Sequence, residues 1–514
     1  MPSSLIRGKS VICRAIDRNE IEAIDDGAVF QQDGRIVEIG RYSDLAEKYQ
    51  PDQQFGSPEH IILPGFVNCH HHVGLTPFQL GSPDYPLELW FASRLSARDV
   101  DLYLDTLYSA FEMVESGITT VQHIHGWRSG PASTWLGAAD QVLQAYQDLG
   151  MRASYCFAVR DQNHFVYEAN AEFLKKLPSS IAAEMEPILK NQEVPLQDYM
   201  DFFEQLWKKW DRNEGGRLRI QLAPANLHWC SDEALEKLQS YATNYGVGMH
   251  MHLLETAYQK VYAERRTGKT AVAHLHDLGM LGPHLTLGHG VWLTEDDIDR
   301  VAETGTMICH NASSNLRLQS GIAPLNYYAK QGVVVGMGLD EAGINDDRDM
   351  LQEMRLVLKL HRVPGMDELV PTSAQVFQMA TEHGAKTTGF GREIGTLEPG
   401  KSADMVMMDW NHIAYPYLDD DISIIDAVIH RSRTSGVDAV MVEGEVIYQN
   451  GKFTKVDKEA TLAELSSRLQ VPRTAEEERR QKLAKEVFPH VKKFYDGWLG
   501  GLPCNPFYCQ SCRQ

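Results

Sequence analysis

The chain has 514 residues, 43% apolar and 23% charged, the balance of a folded globular protein rather than a disordered one. That length exceeds one small core and suits a large catalytic domain, about 250 residues or more if it is a barrel, with a smaller companion. A formal net charge of -21 opposes phosphate backbones and anionic lipid, which sets nucleic acid and membranes aside and favours a neutral or cationic small-molecule substrate.

The first residues, MPSSLIRGKSVICRAIDRNE, lack the apolar core of a signal peptide, and no stretch approaches the ~18 uninterrupted apolar residues of a membrane span. A cytoplasmic location is the default expectation. Residues 1–60 read as short strands: SVICRAI, then GAVFQQDGRIVEIG, with Asp33-Gly34 as a hairpin turn. The same pattern returns in ADMVMMDW and AVMVEGEVIYQNGKFT, the latter turning at Asn450-Gly451. Pairing of these flanks predicts a small β-sandwich domain from 1–60 plus 391–455.

Between them, over 61–390, apolar runs alternate with amphipathic helical stretches, as βα units do. The strand candidates are IILPGFVN, ITTVQHI, RASYCFAV, RLRIQLAP, GVGMHMHLL, LTLGHGV, TMICHNA and VVVGMGLD. Eight is the number that closes a (β/α)8 TIM barrel, so the fold class is α/β. Residues 163–216 form a mostly helical insertion placed to cover the barrel mouth. Beyond 455 a charged, helical extension, 456–514, ends in a tail carrying Cys504, Cys509 and Cys512. These three could supply ligands of a structural zinc that needs a fourth; the alternative is a flexible, reduced tail. The five scattered cysteines read as small buried hydrophobes.

Chemistry concentrates at the strand ends. In LPGFVNCHHH, side chains alternate across the strand, so His70 and His72 share one face while Cys69 and His71 share the other. Two imidazoles at i and i+2 can close on one metal. GVGMHMHLLET places His250 and His252 on one face, with Glu255 three residues further; the alternative for Glu255 is a carboxylate at a helix start. His289 ends LTLGH, and Asp340 ends an apolar run containing two glycines. Buried acids and histidines are costly unless paired or metal-bound. Four separate strand ends therefore present metal-type ligands.

The runs PGFVNCHHH, HMHLLE, the strand-end His289 and GMGLD, with SGITTV, LAPANLHWCSDEAL, SSNLRLQSGIAPL and IGTLEPGKSADMV, resemble the amidohydrolase superfamily. The nearest branch is that of cytosine/guanine deaminases and triazine hydrolases of the atrazine chlorohydrolase type. The resemblance spans residues 1 to about 455. It implies one divalent ion, Zn2+ or Fe2+, on His70, His72, His252 and Asp340, with His71 and His250 not ligands. It also implies that His289 hydrogen-bonds the reacting oxygen, that Glu255 shuttles the proton, and that the protein is a homo-oligomer. A bound cation lowers the pKa of its water from ~15.7 to about 7, Asp340 aims that water, and attack on an sp2 carbon bearing nitrogen gives hydrolytic deamination. Hydrolysis of an amide, urea, carbamate or halide by the same site is the alternative; a non-catalytic relative would have lost ligands.

Substrate residues follow less directly. In PLELWF, nucleoside-type members carry an acid immediately before the tryptophan; here Leu89 precedes Trp90 and Glu88 lies one residue early, so ribose recognition is in doubt. His123, His125 and Trp127 would form a substrate wall or ordinary packing. Arg160 with Asp161 would touch the substrate or form a rim ion pair. Ser314 and Asn315 would line the far side, and Asn226 and His228 have no defined role.

Overall fold

The computed structural model describes residues 2–126, 130–212, 216–366, 369–503 and 505–508. Trp127, expected on the substrate wall, and the cysteines at 504, 509 and 512, expected as zinc ligands or a reduced tail, lie outside the described residues.

Eight parallel strand segments run in chain order around a barrel: Phe66–His71, Ile118–His125, Arg152–Val159, Leu218–Ile220 continued by Ala223–Pro224, Met249–Leu253, Leu285–His289, Met307–His310 and Val335–Met337. Neighbours pair in parallel. Two bridges, Leu222 to Met249 and His71 to Asp340, join the two halves and close the ring. Every residue of Ile118–His125 and Arg152–Val159 is buried. Both faces of these strands are covered, which is why burial does not alternate along them.

Helices follow the strands and cover the outside. Leu102–Glu115 shows the local logic: the Asp101 side chain accepts from Leu104 N at its start, and Gly117, at φ 91°, lets the chain turn away after its end. Leu107, Phe111 and Val114 recur on one face and pack into the barrel core. Burial of such side chains stabilises by about 1.5–3 kcal/mol each.

The expected first strand, IILPGFVN, is in fact two. His60–Pro64 belongs to a seven-stranded flank sheet, and the barrel strand begins at Phe66. Gly65 marks the break, where a Cβ would lie 2.2 Å from the Thr119 side chain. Met405–Asp409 pairs antiparallel with His60–Pro64, which joins the two ends of the chain in one sheet. A second, four-stranded sheet comprises Arg35–Arg41, Gly27–Gln32, Ser4–Arg7 and Gln53–Gly56. Ile6, Val29 and Ile36 of that sheet share an apolar cluster with Val11, Ile62, Met405 and Met441 of the other. Both expected turns form with two left-handed residues, Asp33-Gly34 (φ 53° and 79°) and Asn450-Gly451 (φ 50° and 78°).

A buried ion pair locks the flank to the barrel. Arg152 Nε lies 2.6 Å from Asp404 Oδ2, Nη2 reaches Oδ1 at 3.1 Å, and both side chains are nearly fully buried.

Among the described residues no helix is long and apolar enough to cross a membrane. The insertion forms three helices, Asn170–Leu174, Ser179–Lys190 and Leu196–Trp210, and the extension two, Lys458–Leu469 and Ala475–Phe494.

Candidate active site

The C-terminal ends of the barrel strands bring three imidazoles into one point. Nε2 of His70 lies 3.0 Å from Nε2 of His72 and 3.1 Å from that of His252, and the last two are 3.1 Å apart. Asp340 Oδ1 completes the cluster at 3.2 Å from His72 and 3.5 Å from His70.

The far side of each ring explains why these nitrogens converge. His72 Nδ1–H donates to Ile124 O at 2.6 Å and His252 Nδ1–H to Ala225 O at 3.0 Å, so both present an Nε2 lone pair inward. His70 Nδ1 meets His250 Nε2 at 2.8 Å, an orientation that likewise frees His70 Nε2.

Burial and the neighbouring imidazoles hold His70 and His252 well below the ordinary imidazole pKa, so both are neutral. Burial opposes charge on His72 as well, but the Asp340 carboxylate outweighs it and raises its pKa. Burial would lift Asp340, yet its contact with His72 holds the carboxyl far below the usual range. Converging lone pairs beside an ionised carboxylate are repulsive unless a cation sits among them. Three nitrogens and one carboxylate oxygen fit a single Zn2+ or Fe2+.

Two residues here have unusual backbones. His289 has φ 71° and Asp340 φ 55°, left-handed conformations that cost on the order of 1–3 kcal/mol and gather at functional sites. Gly338 permits the close approach of the eighth strand to the first, since a Cβ there would meet His70 Cβ at 2.6 Å and Asn311 Oδ1 at 2.4 Å.

Glu255 is buried beside the cluster, with Oε2 3.7 Å from His289 Nε2 and Oε1 accepting from Ser320 Oγ at 3.5 Å. Burial first, then the negative charges of Asp340 and Glu88, push its pKa well above the ordinary carboxylate range. His289 donates Nδ1–H to Asn315 Oδ1 at 2.9 Å, leaving Nε2 facing Glu255 and, at 3.9 Å, Asp340 Oδ2. Asn315 thus orients His289 from behind, where the sequence suggested a pocket wall. Ser314 Oγ donates to Asp340 Oδ2 at 2.5 Å.

His71 points away from the cluster, to Ser109 Oγ at 3.1 Å and Asp340 O at 3.3 Å. His250, which sequence reasoning left without a role, buttresses His70. We expect His250→Ala to weaken metal affinity by about 10–100-fold. Competition titration against a chromogenic chelator checks this, and unchanged affinity would remove His250 from the site.

A cavity of about 640 Å3 opens over the cluster, lined among others by Trp90, His123, His125, Arg160 and Trp229. The Arg160 guanidinium stacks 3.8 Å from the Trp229 ring centre, and Arg94 stacks on Trp90 at 4.5 Å while pairing with Glu341 at 3.0 Å. Asp161 turns away, taking hydrogen bonds from Ser231 N and Oγ. His228 is buried between Tyr167 and Trp229, and Asn226 lines the cavity.

His123 Nδ1 meets Tyr146 Oη at 2.9 Å, and His125 Nδ1 meets Tyr155 Oη at 2.7 Å. Tyr146 is fully buried, and an O–H without an acceptor there would be costly. Tyr146 therefore donates to Nδ1, which puts the His123 proton on Nε2 as a donor for the cavity.

Glu88 does not face the cavity. It accepts from Tyr167 Oη at 2.8 Å and Thr256 Oγ1 at 2.5 Å, and burial raises its pKa. Part of the insertion (Ile188, Asn191, Gln192) and part of the C-terminal helix (Glu476, Arg480) complete the cavity's outer wall. No local motif marks these last contributions.

A parallel (β/α)8 barrel with three histidines, an aspartate and a buried glutamate at its strand ends defines a metal-dependent hydrolase. The chain belongs to the amidohydrolase family, whose model matches residues 61–447. It is 28% identical over 446 residues to the 5-methylthioadenosine/S-adenosylhomocysteine deaminase of Syntrophomonas wolfei, covering 86% of this chain and 93% of that protein. Among solved structures it resembles a zinc-bound adenosine deaminase from Xanthomonas campestris (TM-score 0.76, 22% identity, 93% of this chain and 98% of that one). It also resembles a triazine hydrolase from Arthrobacter aurescens (TM-score 0.78, 21% identity, 91% and 99%).

Proposed function

We propose that this protein is a hydrolytic deaminase of an amino-substituted nitrogen heterocycle of the adenosine type. The observation that carries the reading is Glu255, a buried acid with a raised pKa placed beside His289 and the four-residue metal cluster at the floor of an aromatic-walled cavity. The names of the relatives supply the heterocycle.

His70, His72, His252 and Asp340 would hold one divalent ion, which when bound makes a water acidic enough to lose its proton near neutral pH. Asp340, fixed by Ser314, accepts a hydrogen bond from the attacking water and aims it. Glu255 takes a proton from that water and returns one to the amino nitrogen as it leaves. His289, held by Asn315 through its Nδ1–H, turns its unprotonated Nε2 toward Glu255 and Asp340 beside the reacting oxygen. His123 Nε2–H meets a ring nitrogen, Trp90 and Trp229 flank the flat ring, and His125 and Arg160 sit further out on the same wall.

Leu89 stands where nucleoside-type members carry an acid, and Glu88 is committed to Tyr167 and Thr256, so ribose is not held from this segment. In this reading residues 1–60 and 391–455 form one β-sandwich domain on the 61–390 barrel, 456–514 is an extension, and the assembly is a homo-oligomer. Five buried free cysteines suit a reducing cytoplasm.

The test is ammonia release by zinc- or iron-loaded protein from adenosine, methylthioadenosine, guanine, cytosine and an aminotriazine. We expect turnover of an adenosine-type substrate. Silence across these together with turnover of amides, ureas, carbamates or chlorotriazines would replace deamination by the alternative hydrolysis.

A further inference from the structure

The family match ends at residue 447, but the cavity wall does not. Helix Ala475–Phe494 packs Leu483, Ala484 and Val487 against Ala92 and Leu95. Polar ties fasten its start to the loop after the first barrel strand: Asp99 N donates to Glu477 Oε1 at 3.0 Å, and Arg473 Nη1 to Ser96 O at 2.9 Å. The helix is thereby fixed at the mouth with Glu476 and Arg480 on one face, four residues apart, both lining the cavity.

Arg480 leaves two buried guanidinium donors without a hydrogen bond among the described residues, where Arg98 leaves one, Nε. Arg94 is taken by Glu341 and Trp90, Arg98 donates to the carbonyls of Leu469 and Val471, and Arg160 stacks on Trp229. Arg480 Nη2 has only Asp99 nearby, at 3.0 Å, an acid that is 78% exposed. The approach is too oblique for a hydrogen bond, so Nε and Nη2 are buried donors without an acceptor among the described residues. A buried donor of this kind asks for a partner, and here a ligand can provide it.

Resting on the deaminase reading, we propose that Arg480 is a specificity-determining residue that binds a carboxylate on the distal end of the substrate, with Glu476 beside it to receive an ammonium. The ligand class is a heterocycle bearing a zwitterionic amino-acid tail. The net charge of -21 and the acids Asp99 and Glu476 on this wall argue against a purely anionic ligand, whereas a zwitterionic tail gives each sign a partner.

The experiment compares kcat/KM for S-adenosylhomocysteine, which has such a tail, with that for methylthioadenosine, which does not, in the wild type, Arg480→Met, Arg480→Lys and Asp99→Asn. In Arg480→Met the ratio of the two constants should fall about 10–100-fold, carried by KM, as loss of a charge-assisted contact implies. Arg480→Lys should recover part of it, and Asp99→Asn should keep the wild-type ratio. A ratio within threefold of wild type in Arg480→Met, or an equal fall in Asp99→Asn, overturns the proposal. Absence of ammonia from both nucleosides sinks the deaminase reading alone, and the same comparison is then made with calorimetric Kd values. An unchanged Kd ratio, or no binding of S-adenosylhomocysteine, overturns this inference too.

Discussion

Glu255→Gln should lower kcat by about 10²–10⁴-fold while leaving bound metal and melting temperature close to wild type. The substitution keeps the side chain's size and its acceptor for Ser320, and it touches none of the four clustered ligand atoms. It removes only the capacity to carry a proton. Burial and the charges of Asp340 and Glu88 raise the pKa of Glu255, which equips it to give up a proton to a leaving nitrogen. Steady-state kinetics with metal analysis on the same preparation make the check. A kcat within tenfold of wild type at full metal content would assign the proton transfer to another group, and His289 would be the first to examine.

Asp404→Ala should destabilise the protein by about 3–5 kcal/mol, because it strands the buried Arg152 guanidinium. Replacing both residues, as Arg152→Met with Asp404→Leu, should recover most of that loss, since an apolar pair leaves no uncompensated charge. The effect depends on pH in a defined direction. Burial pushes the Asp404 carboxyl up, but Arg152 outweighs it and holds the folded-state pKa below its usual value. The pair's contribution is therefore complete above the unfolded pKa of ~3.9 and is lost as pH falls through the lower folded value. Urea unfolding of wild type and Asp404→Ala at pH 7 and pH 3.5 reads this out, and the difference between them should shrink at the lower pH. A gap that widens on acidification would contradict the assignment.

Several features that decide this protein were visible one segment at a time. The alternation of a strand separates His70 and His72 from His71, and the turns at Asp33-Gly34 and Asn450-Gly451 follow from residues that tolerate positive φ. The eight apolar runs form the barrel because each is a property of a few consecutive residues. The helices of the extension were legible for the same reason, since KEATLAELSSRL matches Lys458–Leu469.

Other features depend on atoms brought together from distant parts of the chain. His250 and His252 share a strand face, so alternation cannot say which reaches the cluster and which stands behind His70; barrel closure decides. Asn315 was placed on the pocket wall from its neighbourhood in sequence, but the left-handed turn at His289 aims that imidazole's Nδ1 at it instead. The split of IILPGFVN between two sheets depends on Gly65 meeting Thr119, 54 positions away by the residue numbers, beyond the reach of any periodicity.

The barrel, the histidines and acids at its strand ends and the reaction class were legible in the sequence, because these rest on short-range chain geometry and on residue chemistry. Only the tertiary structure decided which nitrogen of each histidine faces inward, that Glu88 is turned away from the cavity, and that a helix from the far end of the chain walls the mouth. Those outcomes are set by contacts between separate segments, 27 residues apart for His252 and Ala225 and 378 for Asp99 and Glu477, and no local pattern of side chains encodes them.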